Sequence, residues 1–124
     1  MFCLLLKGEF TKSVELIKQN VQSLEYQFGS FSVEVAHELR KLSDVMLERI
    51  LRSPQSSDYS DWCLETYKII KKTVQLMALN YGSWEGLVKR LREQEAFVAS
   101  LVADSQSQHL VDSVHRNLHY NLKI

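Results

Sequence analysis

The sequence has little of the chemistry that marks metal-rich, disulfide-bonded or membrane-spanning proteins. Only two of its 124 residues are cysteines, too few for a disulfide framework or, alone, for a four-ligand zinc site. Cys3 and Cys63 lie among apolar residues, so we predict buried free thiols in a reducing compartment. The apolar residues 2–6 are fewer than the roughly 7–15 of a signal peptide, and no run approaches the roughly 18–20 of a membrane span. These shortages predict a soluble intracellular protein, cytoplasmic or nuclear.

The formal net charge is zero, and proline and glycine are scarce. Fifteen basic and fifteen acidic residues cancel, which argues against a general binder of nucleic acid or of anionic membranes. The single proline, Pro54, lies in the Ser-rich stretch 53–59, which we interpret as a loop. The four glycines are scattered mainly at predicted helix ends, so no glycine-rich phosphate loop is present.

What the sequence does have is apolar residues at helical spacing. Two stripes step by 4, 3, 4, 3, 4, the first from Phe10 to Phe28 and the second from Cys63 to Tyr81. Similar patterns predict helices over about 33–52 and 84–102, and no segment alternates as a strand does. The sequence therefore predicts an all-α fold of four long helices with short fragments at both ends.

The turn Phe28-Gly29-Ser30 reappears as Tyr81-Gly82-Ser83, a shift of 53 residues. At this shift and, after the turn, at 52, further residues match: Ile17 with Ile70, Lys18 with Lys71, Val21 with Val74, Leu39 with Leu91, and Val45 with Phe97. Two copies of helix, glycine turn and helix are typical of a repeat protein. We predict antiparallel helix-turn-helix repeats, a tetratricopeptide-like array, with units of about 8–52 and 60–103 in a domain of residues 1–103.

Turn and capping residues predict where these helices begin and end. Gly8 is expected to end a helix fragment that precedes the first stripe. Ser30 or Ser32 is expected to cap the second helix, and Ser60 or Asp61 the third. Residues 104–124 are expected to form a polar loop, over 104–108, and then a short amphipathic helix over 109–122.

Candidate chemistry is sparse. His115 and His119 share a helix face at the spacing of metal-binding helices, but Arg116 follows His115 where such helices carry a glutamate, so a polar helix face is the favoured interpretation. His37 fits an exposed helix position better than a catalytic base. Cys63 has no paired histidine in sequence, so a nucleophilic triad is not credible.

Basic residues offer one sharper hypothesis. Three lie on the outer face of the third helix and two follow across the next turn, where an antiparallel pair could bring them together. Such a patch could bind an acidic peptide tail or a phosphate backbone, although a solvated helix face is the simpler interpretation. The candidate partner-binding residues are Lys68, Lys71, Lys72, Lys89 and Arg90.

Part of the chain is similar to a known family. The run Gly8-Glu9-Phe10 and, after the first stripe and Gly29, Ser32-Val33-Glu34 with His37-Glu38-Leu39-Arg40-Lys41-Leu42 resemble the C-terminal tetratricopeptide-like region of the SET-and-MYND family of protein-lysine methyltransferases. The resemblance covers about residues 8–102 and is most specific in the first unit. The tail after Asp104 does not look like the ending of that family.

The resemblance implies a helical scaffold without the family's chemistry. The Asn-His-Ser-Cys-type segment, the cofactor loop and the catalytic tyrosine region of a SET domain are missing, as are the ligands of a MYND finger. No catalytic residue can therefore be assigned, and S-adenosylmethionine and zinc are expected only if those parts belong to a longer chain. We expect a non-enzymatic module that docks a protein or peptide, or packs against the methyltransferase part. The alternative is a free-standing adaptor for an acidic peptide.

Overall fold

Four helices make up the computed structural model, which describes residues 7–82 and 86–122, with side chains described for 9–82 and 86–105. They are α1 (Lys7–Phe28), α2 (Val33–Arg52), α3 (Tyr59–Tyr81) and α4 (Gly86–Leu122). No strand occurs in the described ranges. The prediction of an all-α fold with four long helices is confirmed.

Each helix packs against the next one along the chain: α1 on α2, α2 on α3, and α3 on α4. Side-chain contacts show that these neighbours are antiparallel. Asn20 of α1 lies 3.4 Å from Glu38 of α2, and Ser60 at the start of α3 bonds Ser105, far along α4, at 2.8 Å. This consecutive order is that of a helical repeat-like fold.

Helices α1 and α3 lie beside each other and run parallel. Lys18 pairs with Glu65, and Glu25 pairs with Lys72 at 3.9 Å between Oε2 and Nζ. Both pairs are separated by 47 residues, because 65 − 18 and 72 − 25 give the same difference. The sequence repeat is 53, so the contact is offset by six residues from equivalent positions, which is roughly 9 Å along the helix axis. Successive units are therefore staggered.

The core lies along the interfaces between consecutive helices. Residues that match in the repeat are buried alike, such as Val21 and Val74 at 6% exposure each, or Leu39 and Leu91 at 1% and 2%. Phe97 departs from this pattern, since it is 46% exposed while its counterpart Val45 is buried. The reason is that α2 packs between α1 and α3, whereas the described part of α4 packs against α3.

Glycine ends both odd-numbered helices, as the repeated turn predicted. Gly29 has φ +90° and Gly82 has φ +92°, a region that disfavours side chains with a Cβ. Each glycine N–H donates to a carbonyl of the last turn, Gly29 to Glu25 at 2.9 Å and Gly82 to Ala78 at 2.8 Å. Ser32 then caps α2 by accepting a bond from the Val35 N–H at 3.3 Å, so one of the two predicted caps is confirmed.

The predicted helix starts need two corrections. Gly8 does not end a preceding helix, because α1 already begins at Lys7 and includes it. A single glycine within the first turn costs only roughly 1 kcal/mol relative to alanine, which the long stripe after it outweighs. In α3, Ser60 and Asp61 lie inside the first turn rather than at the N-cap position. The N-cap residue is Asp58, whose side chain makes no capping hydrogen bond.

Helix α4 continues without a break through residues 104–108, where a polar loop was predicted, and extends to Leu122. The helical prediction for 109–122 is correct, but this segment is part of α4 rather than a separate short helix. Residues 104–108 contain Asp, Ser and Gln, which are tolerated in helices, and neither Gly nor Pro interrupts them. No helix in the described ranges is long and apolar enough to cross a membrane.

Candidate functional site

A groove of about 400 Å³ opens between the end of α1, the turn after Gly29 and the outer face of α3. Phe31 and Leu79 line it and remain 73% and 65% exposed, which is unusual for side chains of this size in adjacent positions. Leu76, only 4% exposed, gives the groove an apolar floor. The groove therefore offers apolar surface that the described residues do not cover.

Asn80 holds one wall of this groove in place. Its side-chain amide donates to the backbone carbonyl of Phe31 at 3.2 Å and to the carbonyl of Leu76 at 2.8 Å. The first bond attaches the turn before α2 to the last turns of α3. The Ser32 cap fixes the same turn from the other side. The groove is thus formed by rigid, hydrogen-bonded backbone, which lowers the entropy cost of binding.

The polar rim of the groove consists of one ion pair and an amide. Glu25 and Lys72 pair across the groove, and their side chains are 27% and 47% exposed. Gln75, one turn after Lys72, is exposed and can donate and accept hydrogen bonds. An apolar centre with a small number of polar groups at the edge is the usual composition of a binding groove.

The three predicted lysines of α3 are all exposed, but they do not point in one direction. Lys72 faces α1, where it pairs with Glu25. Lys71 precedes Lys72 by one residue, so its side chain points about 100° away from that of Lys72 around the helix axis. The Lys71 ammonium lies 6.0 Å from the centre of the Tyr67 ring. Lys68 lies one turn before Lys72 on the same side of α3. Lys68 and Lys72 thus belong to the side of α3 that carries the groove.

Lys89 and Arg90 lie on α4 and are also exposed. Val88 and Leu91 are buried and define the face of α4 that packs on α3. Lys89 is turned by about 100° and 160° from these two residues, so it faces away from α3. None of the described contacts joins Lys89 or Arg90 to the α3 lysines, and the single basic patch stays a prediction.

A charged network at the other end of the α1–α3 contact was not foreseen from the sequence. Glu65 accepts from Lys18 of α1 and lies 3.7 Å from Nη2 of Arg49 on α2. Arg49 is 5% exposed, and its guanidinium lies 4.4 Å from the centre of the Trp62 ring. Burial lowers the pKa of Arg49, and the charges of Glu65 and Asp58 oppose this effect. The network joins three helices, and we assign it a structural role.

Cys63 is a buried free thiol, as predicted. Burial raises its pKa, while a hydrogen bond with Tyr59 acts in the opposite direction. Burial is also the main cause of the raised pKa of the Tyr59 hydroxyl. A buried thiol with a raised pKa is a poor nucleophile, because the thiolate is the reactive form. Cys3 lies outside the described residues.

A second depression, of about 540 Å³, lies between α1 and α2. Two of its polar side chains have partners: Lys41 pairs with Glu38 at 3.4 Å, and Nε2 of the exposed His37 lies 2.8 Å from the Tyr81 hydroxyl. Burial raises the pKa of Asp44, partly offset by Arg40. Its lining residues are Ile17, His37, Arg40, Lys41 and Asp44.

Among the residues with described side chains, no three His, Cys, Asp or Glu residues are grouped so that they could hold a metal ion. His115 and His119 belong to α4, but their side chains lie outside the described part. Comparison of the chain with known protein families, with curated proteins and with solved structures gave no match.

Proposed function

We propose that this protein is a helical repeat module that docks a segment of another protein and does not itself catalyse a reaction. The observation that carries the proposal is the pair Phe31 and Leu79, large apolar side chains left exposed on the walls of one preformed groove. Among the described residues, Glu25 is the single carboxylate that lines the groove, and its pairing with Lys72 suits a binding surface better than acid–base chemistry.

Several features support a peptide as the occupant. Helical repeats commonly use the surface between successive units to bind extended or helical segments. The groove lies between the first helices of the two units, α1 and α3, and has room for one or two side chains. The resemblance to the SET-and-MYND family adds the methyltransferase part of a longer chain as a second source of such a segment.

The test is a selection of peptides from a random displayed library against the purified chain. Selected peptides are labelled, and their affinity is measured by fluorescence anisotropy for the wild type and for a Phe31→Ser/Leu79→Ser variant. Both side chains are mostly exposed, so the variant should fold normally. Because a buried apolar anchor contributes roughly 1.5–3 kcal/mol, the variant should bind at least about tenfold more weakly.

A matched control is Leu16→Ser/Leu51→Ser, which removes two apolar side chains that are 60% and 53% exposed outside the groove. This variant should bind the selected peptides as the wild type does. If no peptide is enriched, or if both variants weaken binding equally, the groove is not a docking site.

A further inference from the structure

The outer face of α3 continues the groove as a single stripe of side chains. Lys68, Lys72, Gln75 and Leu79 follow one another at steps of four, three and four residues, the spacing of neighbours along one side of a helix. All four are exposed. A ligand anchored at Leu79 and lying along α3 would therefore pass Gln75, then Lys72 and then Lys68.

The charge along this stripe is positive. Residues 66–81 of α3 contain three lysines and neither Asp nor Glu. On the facing helix, residues 19–24 contain no charged side chain. Two carboxylates flank the stripe: Glu25, which pairs with Lys72, and Glu65, which lies three residues before Lys68 and pairs with Lys18 and Arg49. The described ion pairs of these two carboxylates do not include Lys68, which is exposed, so its charge is open to a ligand.

The helix geometry fixes the distances between the apolar anchor point and the charges. At 1.5 Å per residue, Lys72 lies about 10 Å and Lys68 about 16 Å from Leu79 along α3. An extended peptide advances about 3.3 Å per residue, so these distances correspond to about three and five peptide residues.

We propose that the groove binds an acidic protein segment in which an apolar residue is followed or preceded, about three and five positions away, by carboxylates. The apolar side chain lies between Phe31 and Leu79, and the carboxylates lie against Lys72 and Lys68. Gln75 lies between these points and bonds the peptide backbone. This inference rests on the proposed docking function and adds the chemistry of the partner to it.

The same peptide selection provides the first test. Peptides enriched on the wild type, relative to the Phe31→Ser/Leu79→Ser variant, should carry an apolar residue with Asp or Glu at the stated spacing. Enrichment of apolar peptides without acids would overturn the acidic partner and leave the docking function standing. Absence of any enrichment would overturn both.

The second test neutralises charges on the peptide and, separately, on the protein. One enriched peptide is compared with a copy in which its Asp and Glu residues are replaced by Asn and Gln. Exposed charge pairs contribute roughly 0.2–1 kcal/mol each, so the two pairs together should change affinity by about twofold to thirtyfold. A Lys68→Gln/Lys72→Gln variant should bind the acidic peptide more weakly by this factor, and it should bind the neutral copy with the affinity of the wild type. Added salt should reduce the difference in affinity between the acidic peptide and its neutral copy.

The matched control is Lys89→Gln/Arg90→Gln, which removes two charges of the same sign from exposed positions outside the stripe. This variant should bind the acidic peptide as the wild type does. If it loses as much affinity as the Lys68→Gln/Lys72→Gln variant, the attraction comes from overall charge and the proposed register is wrong.

Discussion

Replacing Glu65 by Gln is expected to lower the free energy of unfolding by about 2–3 kcal/mol, because the change leaves the buried charge of Arg49 without its nearest counter-charge. At 3.7 Å, two unit charges attract by about 4 kcal/mol at an effective dielectric constant near 20. The Glu65 side chain is 39% exposed, so solvent screening reduces this value. Loss of the Lys18 contact adds a small further term.

Replacing Arg49 by Met should have a much smaller effect. In the wild type, Nε and Nη2 of Arg49 are buried without a hydrogen-bond partner, so the guanidinium carries a desolvation cost that its neighbours offset only in part. Methionine keeps most of the volume beside Trp62 and removes that cost. We expect the free energy of unfolding to remain within about 1 kcal/mol of the wild type or to rise. In the Arg49→Met background, Glu65→Gln should cost less than about 1 kcal/mol.

The assay is urea unfolding followed by far-ultraviolet circular dichroism for all four members of the cycle. A parallel cycle with Arg52→Met and Glu48→Gln provides the control, since this exposed pair lies within α2 and should couple by only about 0.5 kcal/mol. The reasoning is refuted if Glu65→Gln costs the same with and without Arg49, or if Arg49→Met alone costs more than about 2 kcal/mol.

Four further changes test other parts of the structure. Gly82→Ala should destabilise by roughly 1–3 kcal/mol in thermal unfolding, because φ +92° with ψ 150° is a region essentially restricted to glycine. Gly29→Ala should cost roughly 1–2 kcal/mol from backbone strain alone, since nothing lies within 4 Å of the added Cβ. With Cys3 replaced by Ser, Cys63 should react with a thiol reagent only at the rate of unfolding, and fast labelling of the native protein would contradict its burial. Asp44→Asn should raise the melting temperature more at about pH 7 than at about pH 4.

The sign of the Asp44 prediction follows from the direction of its shift. Burial raises the pKa of this carboxyl, so the folded state holds the proton to higher pH than the unfolded state does. The free energy of unfolding therefore falls as pH rises from the pKa of the unfolded state through that of the folded state. Asparagine does not titrate, so the substitution removes this loss of stability. An equal effect of the substitution at both pH values would mean that Asp44 titrates alike in the two states.

The helices and their turns could be predicted from the sequence because both depend on local patterns. The stripes from Phe10 and Cys63 give the helical period, and glycine is the residue that most readily adopts the positive φ found at Gly29 and Gly82. The length of α4 could not be predicted in the same way. A polar segment such as 104–108 has no apolar stripe, so periodicity does not distinguish a helix from a loop there.

The candidate groove could be predicted only in part. Lys68 and Lys72 were identified as outward-facing from their positions in α3. The approach of Phe31 to Leu79 depends on how α2 and α3 pack, and on a bond from Asn80 to a backbone carbonyl 49 residues away. The charged network of Lys18, Arg49 and Glu65 draws its members from three separate helices. Contacts of this kind follow from the relative placement of helices, which no local pattern specifies.

The consecutive packing of the four helices has a consequence for how the chain reaches its native state. Each helix finds its main partner in the next segment, so most contacts close short loops and the entropy lost in forming each one is small. Chains with such low contact order fold in microseconds to milliseconds. Folding can begin at any adjacent pair and extend outward, one interface at a time. The Glu65 network and the groove both bridge α1 and α3, so they form only when three consecutive helices are in place.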